Sequence, residues 1–171
     1  YKGRALLGLG DLEGAATVLA EARALAEAQE ARPVLWLVLG ALALKRRHGI
    51  EAGEIAHVHV ATYRPALDIA CHTQPATANE ARFSLRYVVA TALAHGSVRL
   101  AAYEPARLQD PATRSLMERT SVAVDPELDA AFPGRRAARV MITMRDGRRF
   151  DHLQPNRKGD PEEPLSDAEL E

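Results

Sequence analysis

The sequence predicts an α+β fold, with a helical N-terminal segment followed by a small α+β domain built on a central helix and a β-hairpin. Three observations carry that expectation. From Ala5 to His48 the chain is written in alanine, leucine and glutamate without a cluster of β-branched residues, a composition suited to helices. Ile55-Ala56-His57-Val58-His59-Val60 alternates in the manner of a strand. Two further alternating runs flank Asp146-Gly147, a strong short-range hairpin signal. The expected organisation is a helical segment over 1–48 and an α+β domain over 49–171.

Taken in order, Asp11 is placed to cap a helix from Leu12 to about Glu30, its carboxylate accepting from first-turn N–H groups. Leu12, Ala15, Ala16, Leu19, Ala22 and Ala26 recur at helical spacing and form one small-residue stripe. Pro33 suits a first helical position, so a second helix is expected over Val34–Arg47, closed by basic residues and Gly49. The strand at Ile55–Val60 follows, and Arg64–Ala76, which shows no clear period, reads as loop. Thr77-Ala78-Asn79-Glu80 fits a capping box. The helix it opens is expected to run to about His95 and stop at Gly96. Ala81, Leu85, Val88, Val89 and Ala92 share one face of it, and only Arg82 and Arg86 mark a wet side. A helix so apolar belongs in the middle of its domain. Asp110-Pro111 starts a shorter helix to Arg119, and Val122–Val124 reads as a short strand. Ala138–Met144 and Arg149–Leu153 pair through Asp146-Gly147, where a primed turn is expected because positive φ is cheap there.

Composition excludes more than it selects. A length of 171 residues allows one full domain, or one small domain with an appendage. Lys+Arg 22 against Asp+Glu 23 leaves a net charge of −1. Such a balance attracts neither phosphate backbones nor anionic lipid, so no nucleic-acid and no membrane partner is expected. The single cysteine, Cys71, excludes an internal disulfide and any multi-cysteine metal site. The longest apolar stretch, Val34–Leu44, is too short to span a bilayer. Tyr1-Lys2-Gly3-Arg4 lacks a signal-peptide layout, and the expected setting is cytoplasmic.

At the capped helix a family pattern appears. Pro75-Ala76-Thr77-Ala78-Asn79-Glu80-Ala81-Arg82-Phe83-Ser84-Leu85-Arg86-Tyr87-Val88-Val89-Ala90 resembles the MmgE/PrpD family, the group of 2-methylcitrate dehydratase and cis-aconitate decarboxylase. Leu44–Ile50 followed by Ile55–Val58, Ala94–Val98, Val140–Arg148 and Lys158–Asp167 agree with that family in the same order. The resemblance covers about residues 39–171. It implies a lyase without metal or organic cofactor, usually dimeric, made of a large helical domain and a smaller α+β lid. This chain resembles the lid. Where the family carries a Lys/Cys/His-bearing segment just upstream, here stands Glu30-Ala31-Arg32-Pro33-Val34-Leu35-Trp36-Leu37-Val38. Residues 1–38 instead resemble part of a tetratricopeptide repeat around Gly10-Asp11-Leu12-Glu13-Gly14-Ala15.

The resemblance also suggests site residues. Dehydrating or decarboxylating a tricarboxylate takes cations for the carboxylates, a base and an acid. Tyr87 occupies the motif's tyrosine and is the implied catalytic residue, reaching from the lid toward substrate; the plainer reading is a buried phenol bonded to a backbone carbonyl. Ser84 and Lys158 are the implied substrate contacts, although Lys158-Gly159-Asp160 reads equally well as a solvated turn. Ser84, Thr91 and His95 make a polar stripe with Tyr87. Arg82 and Arg86 suit carboxylate binding but fit a solvated face better. His57 and His59 share a strand face without a third ligand, and Cys71-His72 are sequence neighbours whose side chains diverge in an extended chain, so no metal and no cofactor is expected. The expectation is a fragment of a cofactor-independent lyase of the MmgE/PrpD type, ancestrally dehydrating a small tricarboxylate such as 2-methylcitrate. Alone it should be inactive, and it should form a homodimer or self-associate through apolar surface. The alternative is a noncatalytic helical interaction or dimerisation module using the tetratricopeptide-like N-terminus.

Overall fold

A computed structural model describes residues 35–156. The chain's contacts divide between Pro33 and Val34, so the described residues belong to one unit. The expected helix at Leu12–Glu30, the tetratricopeptide-like stretch and Lys158 lie outside the described residues.

The unit is α+β. Four strands, β1 (Ile55–Thr62), β2 (Thr120–Val124), β3 (Ala138–Met144) and β4 (Arg149–Gln154), form one mixed sheet in the order β2-β1-β3-β4. β1 pairs with β2 in parallel and with β3 antiparallel, and β3 pairs with β4 antiparallel. The parallel pair needs a crossover, and the chain between the two strands supplies it as a run of helices. These are α2 (Arg64–Ile69), α3 (Ala78–Arg82), α4 (Leu85–His95), α5 (Pro105–Leu108) and α6 (Pro111–Glu118), with a 3-10 turn at Leu100–Tyr103 before α5. α1 (Leu35–His48) precedes the sheet, and α7 (Pro126–Ala131) joins β2 to β3.

Side-chain alternation explains how the layers meet. Along β3, Ala138, Val140, Ile142 and Met144 are buried while the residues between them are half-buried. Register places Val140 against Val60 and Ile142 against Val58, so one apolar stripe crosses the middle of the sheet. α1 lies over β3 and β4, and α4 packs against both α1 and α6. Gly40 brings α1 close to the sheet: a Cβ there would sit 3.3 Å from the His152 ring and 3.4 Å from Val140. At the end of α1, His48 stacks on Phe150 with ring centroids 4.2 Å apart. The other sheet face carries His57, His59, Ser121, Arg139, Met141 and Asp151 in half-buried or exposed positions. Among the described residues no helix is long and apolar enough to cross a membrane.

Several elements differ from the sequence expectation, each for a local reason. Arg64–Ile69 is a helix, not a loop; Pro65 sits in its first turn, and the Arg64 amide donates to Asp129 Oδ1 at 2.7 Å. The helix expected from the Thr77 box to His95 is two helices. Thr77 does accept from the Glu80 amide, and the Glu80 carboxylate reaches back to the Ala76 amide at 2.7 Å. The first helix ends at Arg82, and Ser84, extended and bridged to Cys71, begins a second. The hairpin link is not primed, because φ is positive only at Gly147. The Met144 carbonyl accepts from Gly147, and the Met144 amide donates to the Arg148 carbonyl, the pattern of an ordinary turn followed by a left-handed glycine. The helices at Pro105 and Pro126 were not anticipated; the latter is capped by Asp125, which accepts from Glu127 and Leu128.

Replacing Ile142, which is fully buried in the stripe, by alanine is expected to lower unfolding free energy by about 2–5 kcal/mol. Thr143→Ala, on the other face, should stay within about 0.5 kcal/mol of the parent. Urea unfolding of both variants measures the contrast, and equal effects would contradict the assignment of the core face.

Candidate functional site

α4 is buried around its circumference. Leu85 and every residue from Tyr87 to Leu93 are buried, so polar side chains on this helix must find partners inside the protein. Ser84 finds one at once: its hydroxyl accepts from the Tyr87 amide at 3.2 Å and caps the helix. Gly96, at φ +73, ends the helix in the left-handed conformation that favours glycine. Lys45 of α1 donates to the Leu93 carbonyl at 2.7 Å, serving one of the acceptors a helix leaves open at its C-terminal end.

Tyr87 is fully buried, and its hydroxyl donates to the Ala102 carbonyl in the 3-10 turn. Burial pushes its pKa above the ordinary phenol value, with the Thr91 hydroxyl and the Arg114 and Arg107 charges opposing. Its ring meets Tyr103 at 6.3 Å between centroids. Tyr103 is pushed up to about 12 by burial, against the Arg82 guanidinium that lies 5.5 Å from its ring centre.

One and two turns further along α4 the surroundings become charged. The His95 Nε2 atom lies 3.1 Å from both Asp110 Oδ2 and Thr113 Oγ1, and Arg107 Nη1 lies 3.5 Å from Nδ1. An arginine only donates, so this long contact is satisfied when Nδ1 accepts and Nε2 carries a proton toward Asp110. Asp110 also caps α6, accepting from the Thr113 amide at 2.8 Å and its hydroxyl at 2.9 Å. Burial alone would raise this carboxyl, but Thr113 and His95 together hold it below the usual range. Beside the cluster opens a concavity of about 150 Å3 lined by Thr91, His95, Ser97, Arg99, Ala102 and Arg107. A second concavity, about 210 Å3, lies between Leu67, Cys71, His72, Leu85 and Arg86.

The residues singled out in the sequence fare differently. Tyr87 does not line the charged concavity but stands behind Ala102, and Ser84 is occupied as a helix cap. Thr91 and His95 do line the concavity. His57 Nε2 and His59 Nδ1 each lie 2.8 Å from the Ser121 hydroxyl. Among the described residues no group of three or more His, Cys, Asp or Glu side chains gathers as a metal site would need. Arg99 and Arg107 were missed. Arg99 stands in the irregular chain after α4 and Arg107 in the short helix α5, and no spacing rule places either over the last turns of α4.

A family model for the MmgE/PrpD C-terminal domain matches residues 33–171. The chain belongs to the MmgE/PrpD family. A search of curated proteins found no match. The matched range includes α1, so this MmgE/PrpD C-terminal domain begins before the strand at Ile55 and takes in the helix that covers β3 and β4. Its motif helix, with Ser84 and Tyr87, is α4.

Asp110→Ala should remove the α6 cap and the His95 partner together, lowering stability by about 1 kcal/mol at neutral pH. The Asp110 carboxyl is held below its ordinary 3.8. Its stabilisation is therefore complete above that value and disappears as pH falls through the lower folded value. Chemical unfolding of parent and variant between about pH 2 and 7 should give curves that converge at the acid end. A gap that widens on acidification would contradict this account.

Proposed function

We propose that this MmgE/PrpD domain is the lid-type part of a cofactor-independent dehydratase acting on a small tricarboxylate such as 2-methylcitrate, and that alone it does not turn substrate over. The observation that carries the reading is the cationic concavity on the motif helix of a domain that matches the family, with Arg99 and Arg107 on its wall and Tyr87 just behind it. Eliminating water beside a carboxylate demands cations for the carboxylates, a base for the proton and an acid for the leaving hydroxyl. The cations are present here. Of the groups able to move a proton, His95 lines the concavity with its Nε2 already engaged by Asp110 and Thr113. The neighbouring carboxyl, Asp110, is kept ionised by Thr113 and His95 and does not line the space. The phenol of Tyr87 is given to the Ala102 carbonyl.

In this reading Tyr87 is the catalytic candidate and acts only once its hydroxyl leaves Ala102. Ser84 serves it indirectly, by fixing the first turn of α4, and Lys158 is the candidate substrate contact from the polar C-terminal stretch. The remaining acid and base belong to a helical domain of the family type.

Incubation of the chain with 2-methylcitrate, followed by absorbance of the unsaturated product, is expected to show no turnover. Addition of the helical domain of a family enzyme should restore dehydration, and Tyr87→Phe should lower the restored rate on the order of 10²–10⁴-fold. Turnover by the chain alone at an ordinary enzymatic rate would refute the inertness. An unchanged restored rate in Tyr87→Phe would refute the role given to the tyrosine.

A further inference from the structure

We infer that the concavity beside the last turns of α4 is a binding site for a small oxyanion, a carboxylate or phosphate group carried by a soluble ligand. This rests on the groups that form the pocket and stands whether or not the chain is part of a dehydratase.

Three features point to it. The first is unbalanced charge. Arg99 and Arg107 both line the concavity, and among the described residues neither forms an ion pair; Arg107 meets only the acceptor nitrogen of His95. No acid lines the space, and Asp110, the carboxylate in contact with His95, already accepts from the Thr113 amide, the Thr113 hydroxyl and His95. The C-terminal end of α4 adds roughly half a negative charge, which two guanidinium groups exceed.

The second feature is the Thr91 hydroxyl. Thr91 is only 2% exposed and lines the same concavity. Its Oγ1 lies near the Tyr87 phenol, whose proton goes to the Ala102 carbonyl. No partner stands at hydrogen-bond geometry, and it is the one buried side-chain polar atom among the described residues left so. A hydroxyl buried without a partner costs stability, and a bound oxyanion would accept its proton. The third feature is the floor. Ala101 and Ala102 are small, leaving room above them, and the Ala102 carbonyl, which would repel an anion, is covered by the Tyr87 hydroxyl. A guanidinium pair offers forked N–H donors that match carboxylate or phosphate oxygens.

Calorimetric titration of the full chain with inorganic phosphate and, separately, with citrate at low salt tests the site. Saturable binding of one or both is expected, weakened on the order of tenfold by Arg107→Gln or by Arg99→Gln. Tighter binding of citrate assigns the oxyanion to an organic acid, and tighter binding of phosphate assigns it to a phosphate. Thr91→Val supplies an independent arm. It removes the orphaned hydroxyl at constant shape, so the free protein should melt no lower than the parent while its affinity for the bound anion falls. Absence of saturable binding for both anions, or equal binding by the parent and both arginine variants, would overturn the proposal. A Thr91→Val chain that melts lower and binds unchanged would remove Thr91 from the site. Failure of the dehydratase reading leaves these results untouched, because none of them depends on turnover.

Discussion

The whole arrangement depends on one demand: α4 must be enclosed. Its run from Tyr87 to Leu93 has no face that tolerates water, and a helix of that kind is stable only where neighbours cover its full circumference. α1 lies on one side and α6 on another, with the sheet contributing through β2. The ties between these elements are correspondingly specific. Lys45 joins α1 to the end of α4, and Arg114 reaches from α6 to the Pro75 and Leu108 carbonyls, both at 2.6 Å. At the far end of α6, the Arg119 guanidinium holds the Ile55 carbonyl at the start of β1. Arginine and lysine here act as long-armed donors for backbone acceptors that helix and strand ends leave open.

That enclosure also divides the polar groups of α4 into two kinds. Ser84 and Tyr87, near its start, are satisfied by the backbone of this same domain. Thr91 and His95, near its end, face a charged opening, and only His95 has found partners there. The site is therefore lopsided: firmly bonded at the N-terminal end of the helix and left open at the other.

How much of this was legible in the sequence follows from the range over which each signal acts. The alternation of β1 and β3, the Asp110-Pro111 start of α6 and the Gly96 stop of α4 are local, and each stands where the residues place it. The division at Ser84 was hidden because Phe83 and Ser84 lie within a continuous helical pattern. What parts the two helices is the Cys71–Ser84 bridge and the His72 amide bonded to the Phe83 carbonyl, contacts from an earlier stretch of chain. α2 and α5 are too short for periodicity and carry a proline in the first turn without a side-chain cap. The primed turn gave way because the loop spans four residues, so a single left-handed glycine suffices while Asp146 bonds to Arg148 instead. The charged cluster was least legible of all, since a 3-10 turn, not a repeat, carries Arg107 back toward His95.

The strand order has a bearing on how the polypeptide reaches this state. β1 is synthesised first yet stands between β2 and β3, so neither of its ladders closes until distant sequence has emerged. Only β3 and β4 are joined by a tight turn, and closing a long loop costs more entropy than closing a tight hairpin. During translation β1 thus passes an interval with both backbone edges unsatisfied, and its Val58 and Val60 then lack the cover they later receive from the helical layer. Nascent chains halted before Thr120 carry β1 with neither of its partner strands, which makes that stage the point of greatest exposure to adventitious strand pairing.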